Sequence, residues 1–315
     1  MKEEKIPKVG VALLAYNQGK YVGDAIESLK RQTFQDFEVI LADDGSNDGY
    51  TPKKLESIDY EKIKLKIIDG KNLKNAERRK RIYRLMNNEY IFDFSGDDVL
   101  APDFLEKTVK FLDKHKDYGA VSVNIKYFEK DVRECYAEQE YDAKTMNLPL
   151  VLARNRILGS SLMRKLALDE TDLSGNFVRY QDWDRWISML EAGWKIGLVP
   201  EFLFYYRHLQ NSLYHSTTIQ EELNIRKKIL KKHKKNYIKY HAEIISEMEK
   251  NFLEMKQIKD WLDGQYIYLG KKIKILEDEK AAIIDENEKL KIRLNKYDNL
   301  KIVRIIRWVK KGVRL

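Results

Sequence analysis

The chain has 315 residues, 43% hydrophobic and 35% charged, with a single cysteine, Cys135. This is room for one large domain or two modest ones, and one cysteine excludes both an internal disulfide framework and a cysteine-rich zinc site. The net charge of +9 sits at one end, since residues 221–315 carry 25 Lys+Arg against 15 Asp+Glu and the first 220 carry 34 against 35; a near-neutral body argues against a nucleic-acid enzyme, and a basic tail argues for contact with an acidic surface.

The start, MKEEKIPK, is charged and leads into no signal-peptide apolar core, and no run of about 18 apolar residues follows anywhere. The expected location is the cytoplasm. VGVALLAY (9–16) is a short apolar run and reads as a buried strand. A helix is predicted over about 20–32, with Val22, Ile26 and Leu29 on one face. FEVILADD (37–44) reads as a second strand ending in the turn DDGSNDG, and KLKIID (64–69) as a third. A basic helix over about 75–87 leads into a fourth strand, EYIFDF (89–94). Pro102 marks the start of a helix running to about His115. YGAVSVNIKYF (118–128) is a fifth strand, and residues 130–158 carry no readable period. Residues 181–193 read as a helix, WKIGLVPE (194–201) as a strand, and everything from about 220 as helical.

Strands alternating with helices predict an α/β fold built on a mostly parallel, Rossmann-like sheet. In such sheets the chemistry lies at the carboxyl ends of the strands. Tyr16-Asn17, Asp43-Asp44 and Asp97-Asp98 all fall there and are expected to converge on one crevice.

The tail is periodic. Met248, Met255, Leu262, Leu269, Leu276, Ile283, Leu290 and Tyr297 recur every seven residues, beside Ile245, Phe252, Lys259, Tyr266, Ile273, Lys280, Asn287 and Leu294. This is the pattern of a coiled-coil seam, with polar residues on the second track that fix register and partner number; a helix folded back on its own domain is the alternative. Gly264 and Gly270 weaken the helix locally. The last segment, NLKIVRIIRWVKKGVRL (299–315), places Ile302, Ile305, Ile306, Trp308 and Val309 on one face and Arg304, Arg307, Lys310 and Lys311 on the other. That suits a helix lying on an anionic membrane surface, and equally a subunit contact. The expected division is 1–218 catalytic, 219–298 coiled coil and 299–315 basic amphipathic helix.

Three acidic groups carry candidate chemistry. DDGS (43–46) is either a turn capped by its own aspartate or a pair of carboxylates awaiting a donor or cation. SGDD (95–98) follows an apolar strand and suits a hard cation such as Mg²⁺ or Mn²⁺. In QDWDRW (181–186), Asp182 beside aromatic surface either serves as a base or caps the helix. There is no G-x-x-x-x-G-K-[ST] loop and no G-x-G-x-x-G after the first strand, which excludes a P-loop ATPase and a dinucleotide enzyme.

The ordered set LAYN (14–17), LADDGSNDG (41–49), EYIFDFSGDD (89–98), QDWDRW (181–186) and VPEFLFYYRH (199–208) resembles the family 2 inverting glycosyltransferases of the GT-A fold. The resemblance spans about residues 6–215. It implies that Ala15, Tyr16, Asn17 and an Asp of the pair Asp43-Asp44 hold the nucleotide, aided by Arg79, Ser95 and Gly96. It implies Asp97 as the metal ligand, with Asp98 beside it and His208 completing the metal or diphosphate site, and Asp182 as the general base. Trp183 and Asp184, next to that base, are candidate acceptor contacts or site wall, although residues two apart on a helix usually point in different directions. The implied donor is a nucleotide-diphosphate sugar, UDP or dTDP favoured, with Mn²⁺ or Mg²⁺ as cofactor. The implied acceptor is a hydroxyl of a glycan or lipid-linked glycan at the inner membrane face, and the coiled coil implies a homo-oligomer. Two positions depart from the family pattern. Ser95 replaces the first carboxylate of the metal motif, and Gln181 replaces the Glu before the base. Both leave open an inactive, GT-A-like scaffold acting through its coiled coil.

Overall fold

A computed structural model describes residues 5–43, 45–58, 65–69, 75–174, 177, 179–209 and 218–298, with the backbone alone at 65–69, 75–78 and 297–298. The chain divides into two compact units, Met1–Glu247 and Met248–Leu315.

The first unit is built on one mixed sheet. Its leading half alternates β1 (Val9–Ala15), α1 (Val22–Lys30), β2 (Phe37–Asp43), α2 (Thr51–Ser57), β3 (Leu65–Asp69), α3 (Asn75–Leu85) and β4 (Tyr90–Ser95). Then come β5 (Val99–Leu100), α4 (Phe104–Lys114), β6 (Tyr118–Phe128), β7 (Ala137–Gln139), a 3-10 turn (Ala143–Thr145) and α5 (Leu148–Ala153). The unit continues through β8 (Leu162–Arg164), α6 (Lys165–Glu170), α7 (Gln181–Glu191), β9 (Lys195–Arg207), α8 (Ile219–Lys232), α9 (Lys234–Lys239) and the start of α10 (His241–Asp298).

The strand order is β3-β2-β1-β4-β8-β6-β9-β5, with β7 on β6. β1 to β4 are parallel, as are β6 and β9, whereas β5, β7 and β8 pair antiparallel. Six of the nine strands thus have a parallel neighbour, as the expected mostly parallel sheet requires. The inserted β8 connects the two parallel blocks.

β1 is buried along its whole length because layers pack on both faces. Alternate residues divide between them. Val9, Val11 and Leu13 join the core beneath α1 and α4, whereas Ala12 and Leu14 join the core beneath α3, α5 and α7. The second layer extends further along the chain than composition suggested. Ile229 of α8 and Ile244 of α10 are buried in it, so the first unit closes at Glu247 rather than at 218. Thr218 and Glu221 form a reciprocal capping box at the start of α8, which fixes where that helix begins.

β6 and β9 are not in simple register. Val123 pairs with Val199, the next residue Asn124 with Phe202, and Ile125 with Phe204, so β9 carries extra residues around Pro200 and Glu201. Past this bulge β9 continues to Arg207, well beyond the expected end at 201.

From Met248 onward the described chain is helix α10. Met248, Met255, Leu262, Leu269, Leu276, Ile283 and Leu290 are all exposed on it, consistent with a coiled coil. Among the described residues no helix is long and apolar enough to cross a membrane. The basic segment 299–315 lies outside the described residues.

Candidate active site

The carboxyl ends of β1, β2 and β4 lie side by side. Ala15 pairs with Asp43 and Leu14 with Ser95, so Tyr16-Asn17, Asp43 and the Ser95–Asp98 loop emerge next to one another. Asp44 lies outside the described residues. Asn17 knits two of the loops together. Its backbone N–H donates to Ser46 Oγ at 2.9 Å, its Nδ2 donates to Asn47 Oδ1 at 2.9 Å, and its Oδ1 accepts from the backbone N–H of Asn47 at 2.9 Å. Asn17 holds a left-handed backbone, φ 55°, the conformation Asn tolerates best after Gly. Asp43 accepts from the Ser46 backbone at 3.0 Å and from its hydroxyl at 2.6 Å, closing the β2 turn. Tyr16 is left exposed beside this platform.

The β4 loop follows the same logic. The Gly96 N–H donates to Leu14 O at 2.8 Å, and a Cβ there would stand 3.1 Å from Gln18 Oε1 and 3.2 Å from Leu14 O. A side chain there would have to push these atoms by a few tenths of an ångström, so glycine suits the close approach to β1. Ser95 Oγ donates to Asp97 Oδ1 at 2.5 Å. Burial raises the Asp97 carboxyl above its usual range despite hydrogen bonds from Ser95 and Gln18.

Asp98 has a different role from its neighbour. It is 4% exposed and accepts from the Arg207 backbone N–H at 2.9 Å. Burial first, and the Asp97 charge second, push its carboxyl well above the ordinary range. Arg207 fixes the whole corner. Its Nε donates to Asp97 O at 2.8 Å and its Nη2 to Asp24 Oδ2 at 2.6 Å, while its guanidinium lies over the rings of Tyr21 and Phe128. His208 bonds the Tyr136 hydroxyl through Nδ1 at 2.6 Å and lines a neighbouring hollow with Lys20, Tyr21, Lys130 and Arg207.

Among the described residues no three His, Cys, Asp or Glu side chains cluster as a metal cage. The donor set still fits a hard cation of the kind that takes one or two protein carboxylates and completes its shell from phosphates and water. Asp97 is the carboxylate of the pair not committed to a backbone N–H of β9.

The second half of the site is a cavity of about 600 Å³ lined by Asp182, Gln181, Trp183, Tyr206, Asn155, Gly159 and five arginines. Asp182 sits in the first turn of α7, where an acidic residue is favoured by the helix dipole. Asn155 Nδ2 donates to Asp182 Oδ2 at 2.7 Å. Tyr180, just before the helix, is left-handed at φ 59°, a costly conformation for an aromatic residue, and it sets the entry of the chain into α7. Trp183 is buried and anchors the helix through Nε1–H to Val151 O at 2.6 Å.

Asp184 turns the other way. It accepts from Lys232 Nζ and bonds His233 Nε2, both at 2.8 Å, between α7 and the helices α8 and α9. It lines no part of the cavity that holds Asp182. Residues two apart on a helix face different directions, which is the physical reason.

Arg79 lies on the cavity side rather than beside the β1 and β2 loops. Its guanidinium pairs with Asp93 at 2.9 Å and donates to Gln181 Oε1 at 3.1 Å. Asp93, buried in β4, also takes the Tyr83 hydroxyl at 2.9 Å and Arg185 Nη1 at 3.1 Å. Two guanidiniums hold its carboxyl below the usual range against the effect of burial. Gln181, at the departure from the family pattern, is the neutral partner this arginine uses.

Tyr206 of β9 connects the two halves. Its hydroxyl is raised by burial and then by the charges of Asp98, Asp97 and Asp182. Asn155, Asp93, Arg185, Arg207 and Tyr206 were not singled out in the sequence. The signal available for Asp93 was an acid inside the apolar run EYIFDF, which requires a buried partner. For Asn155 there was none.

A model of the family described as Glycosyl transferase family 2 matches residues 11–178. An uncharacterized glycosyltransferase of Methanocaldococcus jannaschii is 28% identical over 214 residues, 64% of this chain and 71% of that protein. The putative glycosyltransferase EpsE of Bacillus subtilis is 32% identical over 125 residues, and the match spans 39% of this chain and 45% of EpsE. Among solved structures, S. aureus TarS superposes with a TM-score of 0.58 at 16% identity, over 76% of this chain and 42% of that one. The mannosyltransferase PcManGT from Pyrobaculum calidifontis, in complex with GDP-Man and Mn²⁺, does so with a TM-score of 0.50 at 15% identity, over 78% and 73%. At such identities these structures show a shared fold.

Proposed function

Because the chain belongs to glycosyl transferase family 2, we propose that it moves a sugar from a nucleotide-diphosphate donor to an acceptor hydroxyl by a single inverting displacement, with Asp182 as general base. The observation that carries this reading is the placement of Asp182. It opens into a cavity, is oriented by Asn155, and shares the neighbouring Tyr206 with the Asp97 loop.

The roles follow from the chemistry. A hydroxyl is a poor nucleophile at neutral pH, so a carboxylate within hydrogen-bond reach must take its proton as it attacks. Asp182 does this, and the Asn155 amide holds the carboxylate in place while leaving an oxygen for the acceptor. Tyr16, Asn17 and Asp43 form the nucleotide platform, with the exposed Tyr16 ring offering a surface for the base. The leaving diphosphate gathers negative charge. A divalent cation, when bound, neutralises that charge, and Asp97 is the residue that would hold it. Arg207 keeps the Asp97 backbone fixed, and Ser95 orients its carboxylate.

The acceptor in this reading is a glycan or lipid-linked glycan. The basic segment 299–315 holds the enzyme at an anionic membrane face, and the exposed heptads of α10 pair with further copies of the chain. UDP-, dTDP- and GDP-sugars are the donors to test first, the last because a structural neighbour is in complex with GDP-Man.

Thermal shift against these nucleotides, with and without Mn²⁺, is the direct test. Ligand that binds only the folded state raises stability as the logarithm of its concentration over Kd. A shift with one nucleotide class, whose Mn²⁺-dependent part disappears in Asp97→Asn, is the expected result. No shift with any nucleotide would overturn the reading and restore the inactive scaffold.

A further inference from the structure

The cavity around Asp182 carries more positive charge than its own carboxylates can match. Arg79, Arg154, Arg179, Arg185 and Arg226 line it with two acids, Asp93 and Asp182, and Glu222 beside the wall matches Arg226 alone. Asp93 is shared between Arg79 and Arg185, so that buried trio keeps a net positive charge. Arg185 is 3% exposed, and its Nε has no hydrogen-bond partner among the described residues. Arg226 pairs with Glu222 and lies over the rings of Tyr180 and Trp183, which presents its planar guanidinium at the cavity wall. Arg154 is exposed at the end of α5 and forms no ion pair among the described residues.

This excess is out of place for a neutral sugar hydroxyl alone. Holding like charges together is unfavourable. An anion in the cavity relieves this. Arginine is the side chain best suited to grip one, since its fork matches a carboxylate or phosphate with two parallel hydrogen bonds.

We infer that this cavity binds an anionic acceptor, one that carries a phosphate or carboxylate group near the hydroxyl that Asp182 deprotonates. The inference rests on the glycosyltransferase reading above and deepens it by naming the substrate class. The alternative source of the anion is the diphosphate of the donor. Position favours the acceptor. The nucleotide platform of Tyr16, Asn17, Asp43, Ser95 and Asp97 contributes no residue to the cavity wall, whereas the base does. The acceptor hydroxyl must come to the base.

Binding of small probes to the purified full chain tests this. Glycerol 3-phosphate and methyl glucuronide are titrated calorimetrically, each beside its neutral counterpart, glycerol and methyl glucoside. All titrations are run with and without a saturating nucleotide diphosphate and Mn²⁺. Expected is binding of at least one anionic probe but of neither neutral one, undiminished by the nucleotide, and weakened about tenfold in Arg154→Gln. Arg154 is exposed, so this variant keeps the fold, and its nucleotide affinity should equal the native one. Displacement of the anionic probes by the nucleotide would assign the arginines to the donor diphosphate and overturn the inference. So would equal binding of charged and neutral probes, no binding of any probe, or native probe affinity in Arg154→Gln. Failure of the nucleotide itself to bind is a separate readout and sinks the glycosyltransferase reading.

Discussion

Asn155 reaches across from the end of α5 to place its amide 2.7 Å from Oδ2 of Asp182. The carboxylate is thus held by a neutral donor, although arginines stand around it. A neutral amide fixes the orientation of the carboxylate without committing it to an ion pair.

Asp182→Asn removes the proton acceptor and keeps the shape. Transfer should fall by about 10²–10⁴-fold, the usual contribution of general base catalysis. Nucleotide binding, followed by thermal shift, should stay at the native level. A rate within a few-fold of native would mean that another group takes the proton.

Gly159 faces the same carboxylate. A Cβ there would lie 3.2 Å from Asp182 Oδ2 and 3.5 Å from its Cβ. Gly159→Ala should therefore push the base by a few tenths of an ångström and lower kcat roughly tenfold, as misplacement of a reacting group does. The melting temperature should change little, because the crowded atom is the end of a side chain. Steady-state kinetics beside a melting curve separates the two effects.

Asp93→Asn should damage the fold. It strips the one carboxylate between Arg79 and Arg185, both beside a buried core. Breaking a buried pair by removing one partner costs about 3–5 kcal/mol. The midpoint of urea unfolding should drop accordingly. A change under ~1 kcal/mol would show that water reaches these arginines.

His233 introduces a pH dependence at the back of α7. It is 3% exposed, with Nε2 on Asp184 and Nδ1 on Glu191, both at 2.8 Å, and Lys232 shares Asp184. Burial lowers its pKa, but the bonds to the two acids raise it by more, leaving it above 6.5. A raised folded value means the imidazolium is favoured by folding. Its stabilisation is complete below pH 6.5 and is lost as pH rises through the higher folded value. Glu191, held below its usual range, stays ionised throughout this window and does not alter the trend. The stability gap between native protein and His233→Gln, measured by urea unfolding, should narrow from pH 6 to pH 9.

Leu269 and Leu276 lie one heptad apart and are both more than half exposed, at 52% and 54%. If α10 pairs with other copies, replacing both by Asp should reduce the solution mass to that of one chain. Sedimentation equilibrium reads this directly, and a native protein already monomeric would remove the coiled-coil assembly.

The legible parts of the fold were those with a strong local pattern. β1, β2 and β4 are apolar runs closed by turn residues, and their acids had to lie at the strand ends. Asp97 and Asp182 stood out for the same reason, as acids directly after an apolar strand and at a helix start, and their roles remain part of the proposal. α5 and β8 were hidden because six- and three-residue elements carry no period. The boundary at Glu247 was hidden too. α8 shows solvent a lysine-rich surface and buries Ile229 on its inner side, so composition assigned it to the tail. Asp184 follows the helix rule, two residues from Asp182 and turned to Lys232 and His233 instead.

The bulge in β9 has a consequence for how this gene can vary. Pro200 and Glu201 are exposed, and Glu201 makes a surface ion contact with Lys107. Replacing Glu201 should therefore cost little. Losing it is another matter. One residue fewer shifts every later position of β9 by one, and a strand shifted by one presents its opposite face. Arg207 would leave the pocket between Tyr21 and Phe128, and the Asp97 loop would lose its brace. The stretch is free in composition and fixed in length, so a single-codon deletion there would disable a site it never touches.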